Sequence, residues 1–405
     1  MMMNEYFVSS HCQYVRGAHG AAIYDLKNNA VFSLNADAAY ILDAVLSSNV
    51  TDEMHEFLDE LCKRELLNSS TFAKDTTITE KSLQLRYVWL ELTNRCNCRC
   101  IHCYGAFGEP SHKEHSQELA LSTWKELLQQ IKKHGGNAIQ FIGGEPLLFP
   151  DFCELLTYAH DIGIEYIDIF TNGTLLSHEV IKVIKAVHAS VRVSLYGFDA
   201  QSHEKITQCA QSFSKLDQSL DILRMEGIPT KIAVVLMEEN QNNLEQIISY
   251  IKRKGHTYTG FDTVRKVKHS IQSSHAVTDT KILKYRYITE PIFCTSCQEY
   301  TNNLYWNSCW YGKFAITSTG DIIPCIFARD KICGNIQSDS LDFIKKSLIS
   351  YWSITKDSVE TCKDCEFRYA CDDCRPLAEG ETGNIYAKYP RCLYDPYAGT
   401  WESMK

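Results

Sequence analysis

The strongest constraint on the fold is an alternation of short apolar segments and amphipathic segments between residues 86 and 270. The apolar segments have the composition of buried strands, and the segments between them repeat apolar residues with helical spacing. Trp124, Leu127, Leu128 and Ile131, for example, share one face of a predicted helix. Parallel strands connected by helices form open or closed barrels. Because about 180 residues are too few for eight units, the pattern predicts an α/β fold with an open, six-unit TIM-like barrel.

The predicted elements of this barrel follow each other without interruption. Thr123 and Glu126 are placed to form a capping box at the start of the first helix. The predicted strands span residues 87–92, 138–142, 166–170, 191–195, 231–236 and 261–267, and the predicted helices span 122–134, 151–162, 178–188, 213–226 and 244–254.

Three cysteines follow the first predicted strand at a CxxxCxxC spacing, namely Cys96, Cys100 and Cys103. Iron–sulfur cubanes normally take four thiolates. Three ligands from one loop leave one iron open, and an open position is where a metal site does chemistry. Cys98 breaks the spacing and is expected to be a bystander. The loop therefore predicts a reactive iron–sulfur centre.

Polar residues also follow the next three strands, at the edge where catalytic residues of β/α barrels collect. Gly143-Gly144-Glu145 follows the second strand, Thr171-Asn172-Gly173 follows the third, and Ser194 with Tyr196 ends the fourth. The glycines are expected to expose backbone to a ligand, and the glutamate offers a carboxylate to a cationic group. This edge is the predicted active site.

Composition narrows the class of protein. The net charge of -9 gives no reason to expect nucleic-acid binding. No apolar run reaches the length of a membrane span, and the N-terminus lacks the features of a secretory signal. Eighteen cysteines without such a signal favour metal binding over a disulfide framework. We therefore expect a cytoplasmic enzyme that binds neither nucleic acid nor membrane.

The CxxxCxxC loop, the Gly-Gly-Glu-Pro turn and the Thr-Asn-Gly turn together resemble the radical S-adenosylmethionine (SAM) enzymes over about residues 86–270. The resemblance implies a [4Fe–4S] cluster on the three loop cysteines, whose open iron chelates SAM. Reductive cleavage of SAM would give a 5′-deoxyadenosyl radical. The residues implied in SAM binding are Gly143, Gly144 and Glu145 at the methionine amine, His102 near the adenine, and Thr171, Asn172 and Ser194 at the ribose and carboxylate.

A second cysteine array, within the predicted domain 290–405, resembles the SPASM domain, which houses auxiliary iron–sulfur clusters. Two residues separate Cys371 from Cys374, where the family most often has three. The structural alternative is a zinc ribbon, since CxxC pairs also suit tetrahedral zinc. The resemblance implies one cluster on Cys362, Cys365, Cys371 and Cys392, and another on Cys309, Cys325 and Cys374, completed by Cys297, by Cys294 or by an open position.

Residues 1–70 form a third predicted domain. Two strands, 21–26 and 30–34, precede a helix capped by Asn35 and a second helix capped by Thr51. Strands followed by helices suggest a winged-helix-like module that resembles the RiPP recognition element of peptide-modifying enzymes. Such elements bind a leader peptide as an added strand. A small structural domain would show the same pattern, and residues 68–81 are the predicted linker.

The three predicted domains match the order found in radical SAM/SPASM peptide maturases. We expect an oxidoreductase that installs a crosslink, specifically a Cys thioether, in a ribosomally synthesised peptide. Its partners would be the precursor peptide and a reducing electron donor such as flavodoxin or ferredoxin. The alternatives are a carbon–carbon crosslink, haem or quinone cofactor biosynthesis, sulfatase maturation, and a zinc-stapled binding protein without catalysis.

Overall fold

The computed structural model describes residues 6–68, 83–107, 118–267, 274–288, 290 and 293–402. These residues form two compact units. The first unit combines Met1–Ser82, Tyr287–Tyr311 and Trp352–Lys405, and the second combines Leu83–Arg286 and Gly312–Tyr351. The units therefore do not follow the chain order of the three predicted segments. The predicted linker after residue 68 lies outside the described residues.

The elements are numbered in chain order. The strands are β1 Phe7–Val8, β2 Cys12–Arg16, β3 Ala21–Asp25, β4 Ala30–Leu34, β5 Leu67–Asn68, β6 Tyr87–Glu91, β7 Ala138–Ile142, β8 Tyr166–Thr171, β9 Ser190–Leu195, β10 Thr230–Leu236, β11 Phe261–Thr263, β12 Lys313–Ile316, β13 Asp321–Ile323, β14 Gly334–Asn335, β15 Tyr394–Asp395 and β16 Thr400–Trp401. The α-helices are α1 Ala36–Leu46, α2 His55–Lys63, α3 Leu121–Lys133, α4 Phe152–Asp161, α5 His178–Ala186, α6 Ala200–Thr207, α7 Ser212–Met225, α8 Leu244–Arg253, α9 Thr280–Lys284, α10 Cys297–Tyr305, α11 Leu341–Trp352 and α12 Arg375–Thr382.

The second unit is built on a sheet in the order β11-β10-β9-β8-β7-β6-β12-β13-β14. The strands from β6 to β11 are neighbours in sequence order and pair in parallel. The predicted α/β fold with a central parallel sheet is thus confirmed. All six strands begin and end close to their predicted limits, except that β11 is shorter.

Two features of the second unit differ from the prediction. Helix α3 begins at Leu121 with Ala120 as its N-cap, so the expected capping box of Thr123 and Glu126 is wrong. An additional helix, α6, precedes α7 and was not predicted. Its polar sequence gives little helical periodicity, but Asp199 and Ser202 form a capping box that starts it.

In the first unit, β2, β3 and β4 form an antiparallel sheet with β3 in the centre. Strands β3 and β4 were predicted, whereas β2 was not. The Asn35 side chain accepts a hydrogen bond from the Ala38 backbone N–H, which confirms the predicted cap of α1. Thr51 makes no side-chain capping bond, and a short 3-10 turn separates it from α2, so that cap is wrong. The winged-helix-like interpretation remains a prediction.

The sheet of the first unit has an apolar core on each side. One side packs against α1 and α2 through residues such as Ile23, Leu42 and Leu58. The other side, which includes Val15 and Tyr24, packs against buried aromatic residues from the C-terminal part of the chain, namely Tyr300, Phe367, Tyr369 and Tyr394. The N-terminal sheet and the C-terminal cysteine region of this unit therefore share a core.

The β2–β3 turn makes main-chain contacts with the same C-terminal region. The Ala18 N–H donates to the Asp364 carbonyl at 2.7 Å, and the His19 N–H donates to the Pro396 carbonyl at 3.1 Å. A Cβ on Gly17 would lie 2.4 Å from a carboxylate oxygen of Glu366. Only glycine permits so close an approach at this point.

Among the helices that the structure describes, none has both the length and the apolar character needed to cross a bilayer.

Candidate iron–sulfur and cofactor site

The loop after β6 brings Cys96, Cys100 and Cys103 together. Burial raises the pKa of Cys100 and of Cys103 above the usual range of a thiol. The thiols also lie near enough for Cys103 and Cys96 to raise the pKa of Cys100, and for Cys96 to raise the pKa of Cys103. Metal binding must therefore displace protons from these two residues. Three sulfur donors on one short loop suit an iron–sulfur cluster with one iron left for another ligand.

Cys98 is buried in the same loop, next to Cys96. It is 1% exposed, and the Asn172 amide nitrogen lies 3.7 Å from its sulfur. Its thiol hydrogen-bonds to the Cys96 sulfur, which lowers the pKa of Cys96 and raises that of Cys98. The Cys98 backbone N–H also donates to the Cys96 sulfur at 3.4 Å. Cys98 therefore supports Cys96 as a hydrogen-bond donor.

The two glycines after β7 fit against the cysteine loop. Gly143 has φ 138°, and a Cβ there would lie 2.6 Å from the Thr93 carbonyl oxygen. A Cβ on Gly144 would lie 2.2 Å from the Arg95 carbonyl oxygen. Hydrogen bonds from Gly144 N–H to Thr93 and from Glu145 N–H to Arg95 join the two segments. Glycine is thus required at both positions because two backbone segments approach each other closely there. The expected exposure of the backbone to a ligand is not the reason for this requirement.

The Glu145 carboxylate is fully buried and holds strand ends together. It accepts hydrogen bonds from the Thr171 hydroxyl at 2.7 Å, the Asn172 N–H at 2.8 Å and the Leu147 N–H at 3.3 Å. Burial raises its pKa to about 7. In the structure its oxygens accept from protein donors, and the contact of this carboxylate with a cationic ligand remains a prediction.

Asn172 and Thr171 likewise use their side chains within the protein. The Asn172 amide donates to Asn97 Oδ1 at 2.8 Å, so it links the Thr-Asn-Gly turn to the cysteine loop. Ser194 is buried and hydrogen-bonds to Tyr196. Direct contact of these three residues with the ribose or carboxylate of SAM remains a prediction. The observed geometry supports the cysteine loop.

His102 lies beside the last loop cysteine and packs edge-on against Tyr196, with ring centroids 4.4 Å apart. Burial, with lesser effects of His275 and His203, lowers the pKa of His102 to about 4. The ring is therefore neutral near pH 7. A buried, neutral aromatic pair at this edge is suitable for stacking against a purine, and the adenine contact remains a prediction.

A buried polar group that the sequence did not reveal fixes the end of the cysteine loop. The Tyr104 hydroxyl donates to Glu91 Oε1 at 3.2 Å, and Arg329 donates to the same oxygen at 2.6 Å. The guanidinium also lies over the ring of Phe107, 5.3 Å from its centroid. Glu91 ends β6 and Arg329 is far along the chain, so no local pattern signals the pairing.

The first unit contains a pocket lined by four cysteines that were assigned to one auxiliary cluster, together with aromatic and basic residues. Burial raises the pKa of Cys371 to about 12 and also raises that of Cys365 and Cys392. The thiols act electrostatically on one another, so they converge. The lining residues are Phe293, Lys356, Thr361, Cys362, Cys365, Phe367, Arg368, Cys371, Lys388, Tyr389, Cys392, Tyr394, Pro396 and Trp401. Four sulfur donors in one pocket suit either an iron–sulfur cluster or zinc.

The other C-terminal cysteines belong to different elements. Cys374 immediately precedes α12, Cys297 begins α10, and Cys309 follows α10 in the first unit. Cys325 follows β13 in the second unit. Cys294 and Cys297 are exposed. The assignment of these residues to a second auxiliary cluster remains a prediction.

A further group of possible metal donors lies where β2 meets the end of β3. One ligand atom each of His11, Cys12 and Asp25 lies within 4.8 Å of the others. Both Asp25 oxygens are engaged by the following turn, through Lys27 N–H and through Asn28 N–H and side-chain amide. Burial raises the pKa of Cys12 to about 12. The carboxylate thus serves the turn, and Cys12 is a neutral core thiol.

Comparison with protein families gives two matches. The model of the Radical SAM superfamily matches residues 90–251, which include the cysteine loop and β6 to β10. The model of the SPASM iron-sulfur cluster-binding domain matches residues 309–366.

Curated relatives include enzymes of different pathways. An AdoMet-dependent heme synthase of Methanosarcina barkeri is 24% identical over 345 residues, which cover 77% of this chain and 97% of the relative. The antilisterial bacteriocin subtilosin biosynthesis protein AlbA of Bacillus subtilis is 24% identical over 368 residues, which cover 85% of this chain and 79% of AlbA.

Among solved structures, SuiB of Streptococcus suis bound to its precursor peptide SuiA matches with a TM-score of 0.57 and 15% identity, over 95% of this chain and 98% of SuiB. SuiB bound to S-adenosylmethionine matches with a TM-score of 0.58 and 16% identity, over 96% of this chain and all of that chain. At such identities the similarity shows the fold.

Proposed function

We propose that this chain is a radical SAM enzyme with an iron–sulfur SPASM domain, and that it is a maturase that crosslinks a ribosomally made peptide through a Cys thioether. Its cofactors are a [4Fe–4S] cluster, S-adenosylmethionine and auxiliary iron–sulfur clusters. When bound, the cluster and SAM supply an adenosyl radical able to take a hydrogen atom from an unactivated carbon.

The observation that carries the proposal is the N-terminal sheet, which shares a core with the four-cysteine region. A haem-pathway enzyme has no evident use for such a sheet, whereas a peptide enzyme does. The similarity to SuiB, whose structure holds a precursor peptide, extends over nearly the whole chain and so includes this sheet. The similarity to AlbA also covers most of the chain.

Cys96, Cys100 and Cys103 would hold the [4Fe–4S] cluster. The bonds from Glu145 to Thr171 and Asn172, and from Asn172 to Asn97, keep the loop at a fixed distance from the ends of β7 and β8. His102 and Tyr196 would pack against the adenine. This chain's residues would thus orient the sulfonium and exclude water from it.

In the proposed reaction a carbon–hydrogen bond and a sulfur–hydrogen bond of the peptide break, and a carbon–sulfur bond forms. With one electron from the external reducing donor, SAM would take up the hydrogen atom and leave as methionine and 5′-deoxyadenosine. The thiol proton goes to solvent, and the remaining electron of the peptide passes to an auxiliary cluster. The peptide is therefore oxidised by two electrons, and it loses two hydrogen atoms in total.

Strand β4 is the proposed docking edge for the leader. Among the described residues its pairing partner is β3, on one side. Val31 and Phe32 are half-buried, and Ser33 is exposed, so an added strand would find both backbone groups and apolar contacts there. Because β2 to β4 share a core with the C-terminal region, deletion of residues 1–70 would expose that core. Surface substitutions on β4 are the cleaner test.

The double variant Ala30→Lys/Ser33→Lys should weaken peptide binding by about tenfold or more, ~1.4 kcal/mol, because lysines on an edge strand oppose strand addition. The probe is the tightest-binding synthetic peptide among those translated from the short reading frames that flank this gene, and its affinity is measured by fluorescence anisotropy. Gln13→Lys on the opposite edge, β2, is the matched control. Equal affinity of both variants and the parent protein would remove the leader-docking proposal.

The reaction itself is tested with anaerobic, reconstituted protein, dithionite, SAM and the same peptide. We expect a product lighter by two hydrogen atoms whose cysteine resists alkylation. A product that loses hydrogen while its cysteine still reacts with alkylating agent would replace the thioether by a carbon–carbon crosslink. The heme synthase relative makes tetrapyrrole chemistry the second candidate. Turnover of an iron porphyrin substrate without any change in the peptide would favour it.

A further inference from the structure

The pocket of four cysteines in the first unit contains a lysine without a hydrogen-bond acceptor. Lys356 is 4% exposed, and its ammonium group is buried with no hydrogen-bond partner in the part of the chain that the structure describes. It lines the pocket together with Cys362 and Cys371, and its charge acts on both thiols. Burying an ammonium group without a hydrogen bond is costly, so this arrangement requires an explanation.

The other two cations that line the pocket are engaged elsewhere. Lys388 donates to the Tyr394 carbonyl at 2.7 Å. Arg368 donates to Asp357 at 2.8 Å and to the Cys365 carbonyl at 2.8 Å. Lys356 is therefore the lining cation whose N–H groups remain available for an acceptor inside the pocket.

The charged side chains packed against Lys356 do not neutralise its ammonium group. Its nearest carboxylate is Asp373, at 3.5 Å, and the side chains of both residues are almost fully buried. The same carboxylate oxygen accepts from the fully buried Arg375 and from the Cys374 N–H. Two buried cations thus share one buried carboxylate. The surplus positive charge calls for a negative partner on the pocket side.

We infer that Lys356 donates its N–H groups to the sulfur atoms of the auxiliary cluster in this pocket and raises the reduction potential of that cluster. A [4Fe–4S] core with four thiolates carries net negative charge, and it matches the surplus positive charge of the lysine site. Hydrogen bonds to cluster sulfur and nearby positive charge both favour the reduced state. The inference rests on the proposed role of this cluster as the acceptor of the peptide's electron, and Lys356 would make that acceptance easier.

The test uses protein in which Cys96→Ala, Cys100→Ala and Cys103→Ala remove the SAM cluster, so that only auxiliary clusters give signals. In this background Lys356→Met is compared with Lys356→Arg, and Lys388→Met serves as the matched control. Iron content and EPR-monitored redox titrations are measured anaerobically. We expect Lys356→Met to shift one auxiliary midpoint to a more negative potential and Lys356→Arg to shift it less. Lys388→Met should give a clearly smaller shift than Lys356→Met, because the Lys388 ammonium group is engaged by the Tyr394 carbonyl.

An unchanged midpoint in an iron-loaded Lys356→Met protein would overturn the inference. If Lys356→Met loses the iron of this pocket, Lys356→Arg decides the matter: retained iron supports a requirement for the charge, and lost iron indicates that the lysine serves packing alone. A parent protein whose pocket holds zinc overturns the assignment of the cluster itself. Because no readout depends on turnover, failure of the peptide reaction is distinguished from failure of the Lys356 inference.

Discussion

The cysteine loop of the barrel and the four-cysteine pocket of the first unit offer the same ligand, cysteine sulfur, in different surroundings. The loop offers three sulfur donors beside aromatic rings, and its nearby charges are paired within the protein, as Arg329 is with Glu91. The pocket offers four donors, and cations line it. In the proposed assignment, the first site would leave a coordination position for a substrate, and the second would enclose its metal.

The difference shows how a single chain can assign two redox roles to two separate cysteine sites. An open iron beside charges that the protein has already paired would suit inner-sphere chemistry on a cofactor, whereas a closed site beside an unneutralised positive charge would suit storage of an electron. Substitutions that affect one site and leave the other intact are therefore the most informative.

The largest expected effect comes from removing ligands. Cys96→Ala/Cys100→Ala/Cys103→Ala should abolish 5′-deoxyadenosine formation and leave auxiliary iron in place. Cys362→Ala/Cys371→Ala should do the reverse: SAM cleavage persists, uncoupled, and crosslinked peptide disappears. Product analysis by chromatography and iron determination measure both. Persistent SAM cleavage in the triple variant would break the comparison.

An intermediate effect is expected at the buried pair beside the cysteine loop. Arg329→Met leaves the Glu91 carboxylate buried without its cation, which should lower the free energy of unfolding by about 3 kcal/mol. Glu91→Gln/Arg329→Met should recover part of that loss because the isolated charge is gone. Thermal denaturation of the reconstituted proteins measures both. A double variant no more stable than the single variant would show that the pair matters for packing instead.

The smallest effect is expected at Cys98. Cys98→Ala removes a donor to the Cys96 sulfur but no metal ligand, so stability should fall by only about 1 kcal/mol and loop iron should be retained. Iron per chain and the rate of 5′-deoxyadenosine formation check this, with Cys96→Ala as the control. Loss of iron equal to that of Cys96→Ala would make Cys98 a ligand.

The barrel could be predicted because its signals are local. Strand β7 was predicted with its observed limits, since a short apolar segment between a helix and a glycine pair leaves little choice. Helix α6 was not predicted because its sequence is short and polar and does not repeat apolar residues at helical spacing. Strand β2 was missed because Cys12–Arg16 mixes polar and apolar residues, and its partner β3 supplies the order.

The candidate site was predictable in its residues but not in their partners. Glu145, Thr171 and Asn172 were expected to contact SAM, yet their side chains join two strand ends and the loop. Those contacts link segments that are distant in sequence, so no spacing rule reveals them. The roles of the charged side chains of Arg329 and Lys356 depend on the groups that surround them after folding.

The β2–β3 turn has a consequence for how this protein matures. Its Ala18 N–H donates to the Asp364 carbonyl, in the segment that carries Cys365, and the Tyr24 hydroxyl of the adjoining strand β3 donates to the Glu366 carbonyl of the same segment. Any ligand that orders this segment must also stabilise the turn, and the reverse holds equally, because binding free energies are reciprocal. Iron supply would then set how many copies of the chain can capture their peptide.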